Sequence, residues 1–360
     1  MKVALFGPSK SIHTHKWAVY FKNQGHEVKV ITFANHFSKE NAQEVDTITL
    51  PETKGGKLGY LLTVPALRGI LQSWKPDIFH AHFISSYGFV GALTGYKPFF
   101  VSVWGKDIFD FPKSSGINRK IIEFTLARAN VVMSTSHIMA KETNLYTNKK
   151  IWVTPFGVDT TKFRPALMQQ EKSELLRVGT VKALSDKYGI ADLVKGFASL
   201  HTRFPESELV IAGDGPQRKE YEELASSLGI ADAVTFMGKI PHDQVPLTIQ
   251  SMDIFAVPST ENSESFGVAA VEAMACGVPV VVSNVGGLPE VVVAGETGIV
   301  IDKESPDQLA EALIRLATSS ELRGTMSRQG VEHVAKHYDW IKNANYMESL
   351  YIEYMRGELK

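Results

Sequence analysis

Ile254-Phe255-Ala256-Val257-Pro258-Ser259-Thr260-Glu261-Asn262-Ser263-Glu264-Ser265-Phe266-Gly267-Val268-Ala269-Ala270-Val271-Glu272-Ala273 reads as a buried strand, a polar loop and a helix. The apolar run stops at a proline, which cannot donate to a sheet ladder. The helix opens after Gly267, where the absent side chain suits close approach of a ligand to the backbone. A continuous rise of 1.5 Å per residue would set Glu264 and Glu272 roughly 12 Å apart. That matches the span from a ribose to a sugar across a diphosphate. Free N–H groups at the helix start between them favour phosphate oxygens. The simpler reading is a surface Glu in a first helical turn and a second one further along.

Strand–helix pairs of this kind recur from end to end. Expected strands are Val3–Phe6, Val28–Thr32, Ile78–His80, Phe99–Val103, Val131–Ser134 and Ile151–Thr154 in the first half. In the second half they are Leu175–Gly179, Leu209–Ala212, Val234–Phe236, Ile254–Val257 and Val278–Val282. Strands this apolar, with helices between them, belong in parallel sheets covered on both faces. One helix is expected from Leu61, Leu62, Val64, Leu67, Ile70, Leu71 and Trp74, which share a face. The pattern restarts after Pro155-Phe156-Gly157-Val158-Asp159, and the polar segment 160–173 reads as a linker. The expected division is 1–165, 166–338 and a C-terminal helix over 339–360 that packs back on the first domain. Two doubly wound α/β domains then face a cleft, the default ligand site.

The 360 residues suit two domains. Apolar residues are 44% and charged residues 21%, which excludes a disordered chain. A single cysteine excludes a disulfide framework and cysteine-built metal sites. It fits a reducing cytosol. Met1–Pro8 is too short an apolar run for a signal peptide and reads as the first strand. The longest uncharged stretch, 78–96, contains two His and three Gly and makes a poor membrane span. No lipidation signal is expected. The net charge of −1 divides unevenly, +10 over residues 1–165 and −11 over the rest. An acidic partner for the first half, such as an anionic lipid surface, would use that excess. Lys54, Lys57, Arg68, Lys113, Arg119 and Lys120 contribute to it. The alternative is an ordinary solvated face.

Glu264-x7-Glu272 with Phe266-Gly267 continues into Glu272-Ala273-Met274-Ala275-Cys276-Gly277-Val278-Pro279-Val280 and Gly286-Gly287-Leu288-Pro289-Glu290. Gly213-Asp214-Gly215-Pro216, Phe236-x-Gly238 and Pro155-Phe156-Gly157-Val158-Asp159-x3-Phe163-x-Pro165 occur as well. So do Ser11-Ile12-His13-Thr14-His15-Lys16-Trp17 and His80-Ala81-His82-Phe83. Together these blocks closely resemble the family-4 retaining glycosyltransferases. The resemblance implies two Rossmann-like domains, the GT-B architecture. It implies that Glu264 meets the donor-sugar hydroxyls and Glu272 the nucleotide ribose. Phe266, Gly267 and Val268 would hold the diphosphate and sugar, with Gly213, Gly215 and Gly238 also on the donor side. Lys187 matches a lysine that neutralises the leaving diphosphate.

This chain departs from the family twice. Thr180 stands where an Arg is usual, leaving Lys182 as the substitute cation. Trp104 stands where many members carry a His that reaches the donor sugar. A Trp can stack on a sugar but does no acid–base work. His82 is the replacement candidate, with one of His80 and His82 expected to point inward. His13 and Lys16, with Trp104 and Asp107, are placed on the acceptor or phosphate side. His333 and His337 read as a solvated helix pair.

The implied activity is metal-independent transfer of a sugar from a nucleotide diphosphate sugar to a hydroxyl acceptor, with retention. Cell-surface polysaccharide or glycolipid synthesis is the expected setting. A lipid-linked or acidic acceptor would match the basic first half. No cofactor and no nucleic-acid partner are expected, and no metal either, since no Asp-x-Asp occurs to hold a metal-bound diphosphate. The expected location is cytoplasmic, either free or peripheral on the inner membrane face. The rival readings are a nucleotide-sugar epimerase of the same fold and a catalytically silent nucleotide-sugar binder. The first would turn over donor without acceptor.

Overall fold

The computed structural model describes residues 1–52, 59–166 and 175–359. Lys54 and Lys57 lie outside the described residues. The chain divides into two compact units, Met1–Phe156 with Asn343–Lys360, and Gly157–Lys342. The division falls earlier than the expected boundary at 165. Val158 N–H donates to the Tyr338 carbonyl (2.7 Å) and Trp340 N–H donates to the Val158 carbonyl (2.9 Å). These bonds tie residues after Gly157 to the second unit, before the polar linker begins.

The first unit contains a seven-stranded parallel sheet. Its strands are β1 (Lys2–Phe6), β2 (Glu27–Thr32), β3 (Thr47–Thr49), β4 (Ile78–His82), β5 (Phe99–Val103), β6 (Val131–Ser134) and β7 (Ile151–Val153). The order is β3-β2-β1-β4-β5-β6-β7, so the winding reverses between β1 and β4. Phe6, Phe79, Phe99, Val101, Leu67 and Leu71 form the buried core of this unit. Each such side chain contributes about 1.5–3 kcal/mol by leaving water. α1 (Ile12–Asn23) follows β1. α2 runs over Val64–Trp74, with a 3-10 turn over Tyr60–Thr63 before it. Pro65 sits in the first turn of α2, where a missing N–H costs nothing. Leu61 and Leu62 therefore fall outside the helix, and Leu62 is 71% exposed.

The second unit contains six parallel strands. They are β8 (Leu176–Val181), β9 (Ser207–Ala212), β10 (Val234–Gly238), β11 (Ile254–Val257), β12 (Val280–Ser283) and β13 (Gly298–Ile301). The order β10-β9-β8-β11-β12-β13 reverses between β8 and β11. Val178, Leu209, Ile211, Ile254, Val281 and Leu313 lie in its core. β3 and β13 go beyond the sequence expectation. β3 is a three-residue Thr-Ile-Thr edge, and β13 opens on Gly298 because a Cβ there would meet the Val280 carbonyl at 2.5 Å.

The quoted loop leads from β11 into α3 (Val268–Ala275). Gly267 caps that helix at φ +86°. Residues 264–267 are therefore not helical, and a helical rise covers only the four steps from 268 to 272, about 6 Å. The 12 Å derived from one continuous helix does not apply. α4 (Trp340–Met355) closes the chain, and from Asn343 onward it belongs to the first unit. No helix among the described residues is long and apolar enough to cross a membrane.

Candidate active site

Ligands of open parallel sheets bind beyond strand C-termini where the winding reverses. In the second unit that point lies beyond β8 and β11, and both key segments start there. Lys182 directly follows β8. Its Nζ stands 2.9 Å from Glu264 Oε2, at the end of the loop after β11. The Ser259 hydroxyl donates to the same carboxylate oxygen at 3.3 Å. Glu264 is 8% exposed. Burial pushes its carboxyl upward, but the Lys182 ammonium and its hydrogen bond, then Lys187 and Ser259, hold it below its ordinary value. A buried carboxylate stays ionised here because cations face it.

Lys187 lies further along the same β8 loop, and its ammonium donates to the Ser263 carbonyl at 3.0 Å. The Tyr188 ring lies under both ammonium groups, 4.8 Å from Lys182 Nζ and 5.3 Å from Lys187 Nζ. Thr260 N–H donates back to the Lys187 carbonyl at 2.8 Å. The β8 and β11 loops are thus stitched together, with two cations and one carboxylate ahead of the first turn of α3. That turn has N–H groups with no helical acceptor. Glu272 sits half-buried on α3. The sequence did not single out Ser259, Ser263 or Tyr188. Thr180 is fully buried, and its hydroxyl has no hydrogen-bond partner among the described residues.

The glycines expected on the donor side have steric work to do within the protein. A Cβ on Gly213 would stand 1.8 Å from the Lys182 carbonyl, and one on Gly215 would stand 2.2 Å from that of Leu184. Gly213 and Gly238 are also joined, N–H to carbonyl, at 2.8 Å. The loop after β9 thereby presses against the backbone that carries Lys182. Gly286, at φ +53°, does the same for Glu264, since its Cβ would lie 2.0 Å from the Glu264 carbonyl. Gly287 N–H donates to that carbonyl at 2.8 Å.

In the first unit, His82 ends β4 beside the β1 loop. His80 and His82 occupy one face of the strand together, with rings 4.9 Å apart. The expectation that only one points inward fails because side chains repeat with a period of two. Both rings are buried. His80 bonds the Tyr351 hydroxyl (2.5 Å) and the Ser102 hydroxyl (2.8 Å). Burial lowers it to about 3. His82 Nδ1 pairs with the Thr14 hydroxyl at 3.1 Å. Burial first, then His80 and His13, push it well down, so it is a neutral imidazole. Gly7 makes room for it, since a Cβ there would stand 3.2 Å from His82 Nδ1.

Trp104 is 8% exposed. Its ring is enclosed by His82 (4.4 Å), Phe83 (4.8 Å), Phe156 (5.3 Å) and His13 (6.0 Å). It is a wall of the unit rather than an open stacking platform for a sugar. His13 stacks face to face on Phe156 at 3.9 Å. Lys16 lies half-buried on α1. Asp107, expected on the acceptor or phosphate side, is buried in the first unit. Ile84, Trp104 and Gly105 N–H groups donate to its carboxyl at 2.8–3.4 Å. With those acceptor sites occupied, Asp107 holds two loops together. Phe83 takes φ +69°, followed by a π-helical turn over Ile84–Gly88. That strain costs about 1–3 kcal/mol and clusters at functional sites.

The family model described as Glycosyl transferases group 1 matches residues 163–333, and the one described as Glycosyl transferase 4-like matches residues 2–136. A GDP-mannose-dependent alpha-(1-6)-phosphatidylinositol monomannoside mannosyltransferase of Mycobacterium tuberculosis is 35% identical over 198 residues, 52% of this chain and 51% of that protein. An N-acetyl-alpha-D-glucosaminyl L-malate synthase of Bacillus anthracis is 27% identical over 305 residues, 80% of this chain and 78% of that one. The chain spans about half the length of that mannosyltransferase, and 40% and 52% of two D-inositol 3-phosphate glycosyltransferases of Corynebacterium. A sucrose-phosphate synthase from Thermosynechococcus elongatus is similar in structure, with a TM-score of 0.81 and 22% identity, covering 99% of this chain and 100% of that one. HepE of Anabaena, solved with UDP, gives 0.82 and 19%, covering 97% and 99%. At these identities the likeness establishes the fold.

Proposed function

Because this chain belongs to the group 1, family-4-like glycosyltransferases of the GT-B fold, we propose that it moves a sugar from a nucleotide diphosphate sugar to a hydroxyl acceptor with retention. One observation carries the reading: Lys182 and Lys187 converge with Glu264 on the loop before α3. Two preplaced ammonium groups are what a departing diphosphate needs, and a carboxylate beside them suits sugar hydroxyls. Glu272, on α3, takes the nucleotide ribose. Lys182 supplies the charge that Thr180 cannot.

In the proposed step the bond from the anomeric carbon to the diphosphate oxygen breaks. The acceptor oxygen bonds to that carbon on the same face. The acceptor proton goes to the leaving phosphate oxygen. No protein nucleophile is required, and His82, buried and neutral, holds the unit together instead of transferring a proton. Catalysis is then positioning and charge stabilisation. With lysines and a helix start on the diphosphate, divalent metal is not required. A cell-surface glycan or glycolipid, lipid-linked or acidic, is the proposed acceptor class, and the inner membrane face the proposed place of work.

Thermal-shift screening with UDP-, GDP- and ADP-sugars tests the donor site, since a ligand of the folded state raises its stability by mass action. A shift with one nucleotide series, followed by acceptor-dependent release of its nucleotide in EDTA, is expected. Absence of any shift, or conversion of the donor to an epimer without acceptor, would overturn the proposal.

A further inference from the structure

The first unit has a second place where chain segments leave strand C-termini together. Phe33, Ala34 and Asn35 follow β2, Pro51 and Glu52 follow β3, and Tyr60 and Thr63 lie in the turn before α2. These residues line a pocket of about 110 Å³. At about 30 Å³ per water, that is room for three or four waters, hence for one side of a small ring.

Its lining is selective. Tyr60 stacks on Phe33 at 3.9 Å with the rings 4° from parallel, which fixes the phenol in place. Asn35 Nδ2 donates to the Tyr60 oxygen at 2.8 Å, so the phenol proton is left to donate elsewhere. Lys10 spends its ammonium on the Asn35 backbone carbonyl at 3.1 Å. Glu52 is exposed and makes no ion pair among the described residues. An aromatic surface, a phenol donor, an amide and a carboxylate without an ion pair among the described residues fit a neutral ligand with adjacent hydroxyls. A carboxylate accepts two vicinal O–H donors, while an anion placed there would be repelled.

We infer that this pocket holds a vicinal diol on a neutral sugar or cyclitol ring of the acceptor. The inference rests on the transfer reading above only for the word acceptor. The acidic or lipid-linked part of such a molecule would then lie outside the pocket.

Saturation-transfer NMR on the full chain tests it, with methyl α-glucoside and myo-inositol as probes at about 10 mM, tenfold above a millimolar Kd. Transfer to at least one probe is expected, with little to glucuronate. Glu52→Gln should weaken binding about 10-fold, as a lost charge-assisted hydrogen bond. Tyr60→Phe should weaken it less than Tyr60→Ala. UDP or GDP added alone should leave transfer in place, whereas displacement by nucleotide sugar but not by nucleotide would assign the pocket to the donor's sugar and overturn the acceptor assignment. No transfer in the wild type, or transfer indifferent to both Glu52→Gln and Tyr60→Ala, overturns the inference. Nucleotide-sugar thermal shifts measured in parallel keep the two readings apart: a surviving shift leaves the donor reading intact whatever the pocket does.

Discussion

Lys182 Nζ and Glu264 Oε2 meet at 2.9 Å although 82 residues separate them in the chain. The contact joins the loops that follow the two central strands of the second unit, so removing either residue leaves the other's buried charge without this partner. Lys182→Met or Glu264→Gln should each cost about 3 kcal/mol. The double variant should cost less than the two together, by about 1–2 kcal/mol. Urea unfolding of the four proteins measures the cycle. Strict additivity would mean that the pair is not coupled in solution.

Kinetics should separate the two glutamates. If Glu272 holds the ribose as proposed, Glu272→Ala removes contacts present throughout the reaction and should mainly raise KM for the donor. Glu264→Ala should lower kcat as well if Glu264 positions the reacting sugar as proposed. Lys187→Ala should lower kcat by about 100-fold or more as a lost stabiliser of leaving-group charge. Donor titrations with each variant decide this, and a Lys187→Ala enzyme with undiminished kcat would move the charge stabilisation elsewhere.

Gly213 tests whether loop contact sets Lys182. An alanine there must place a Cβ 1.8 Å from the Lys182 carbonyl at φ +142°, so the loop must shift. Gly213→Ala should cost about 2–4 kcal/mol and weaken nucleotide-sugar binding. Gly25 also has positive φ, but open space around it. Gly25→Ala should cost about 1–2 kcal/mol and leave donor binding unchanged. Thermal shifts with and without nucleotide sugar compare the two.

The alternation of strands and helices was legible because period and punctuation are local: Pro258 ends one element and Gly267 opens the next. β13 escaped because a four-residue strand opening on glycine carries little pattern. Residue types at the candidate site were legible through Glu264, Glu272 and Lys187. The Lys182–Glu264 contact was not, since residue types alone give no distance across 82 positions. Asp107 shows the same limit from the other side. A carboxylate in a promising motif looks available until the N–H groups of Ile84, Trp104 and Gly105 are found on its oxygens. Trp104 likewise looks like a platform until four rings enclose it.

Two buried neutral histidines make stability depend on pH. His80 is lowered to about 3 by burial, and His82 is lowered strongly by burial, His80 and His13. Their folded values lie below the unfolded value of about 6.5. The stability they allow is complete above that value and falls as pH drops, because only the unfolded chain binds the protons. As pH falls below about 6.5 each should contribute a slope that rises toward about 1.4 kcal/mol per pH unit. His36, lowered by burial and then by Lys10, adds a smaller share. His80→Gln can keep partners for Tyr351 and Ser102 and should remove one share of the slope. Urea unfolding across that range measures it, and an unchanged slope in the variant would show that His80 titrates normally.

Membrane attachment of the first unit is the finer part of the proposed function, and it has a direct test. Residues 1–165 carry a balance of +10. Leu62 is 71% exposed and Ile117, beside Arg119 and Lys120, is 74% exposed. An apolar side chain flanked by cations suits an anionic lipid surface, where each nearby Lys or Arg contributes about 1 kcal/mol. Because both apolar side chains already face solvent, Leu62→Glu and Ile117→Glu should leave stability within about 0.5 kcal/mol. Donor binding, assigned to the second unit, should not change either. Sedimentation with vesicles should show binding to anionic lipid and not to neutral lipid, weakened by each variant. Raising salt from about 0.1 M to 1 M shortens the Debye length from about 10 Å to 3 Å and should release the protein. If the wild type ignores anionic vesicles even at low salt, the excess positive charge serves a soluble acidic acceptor or solubility alone, and the membrane assignment falls.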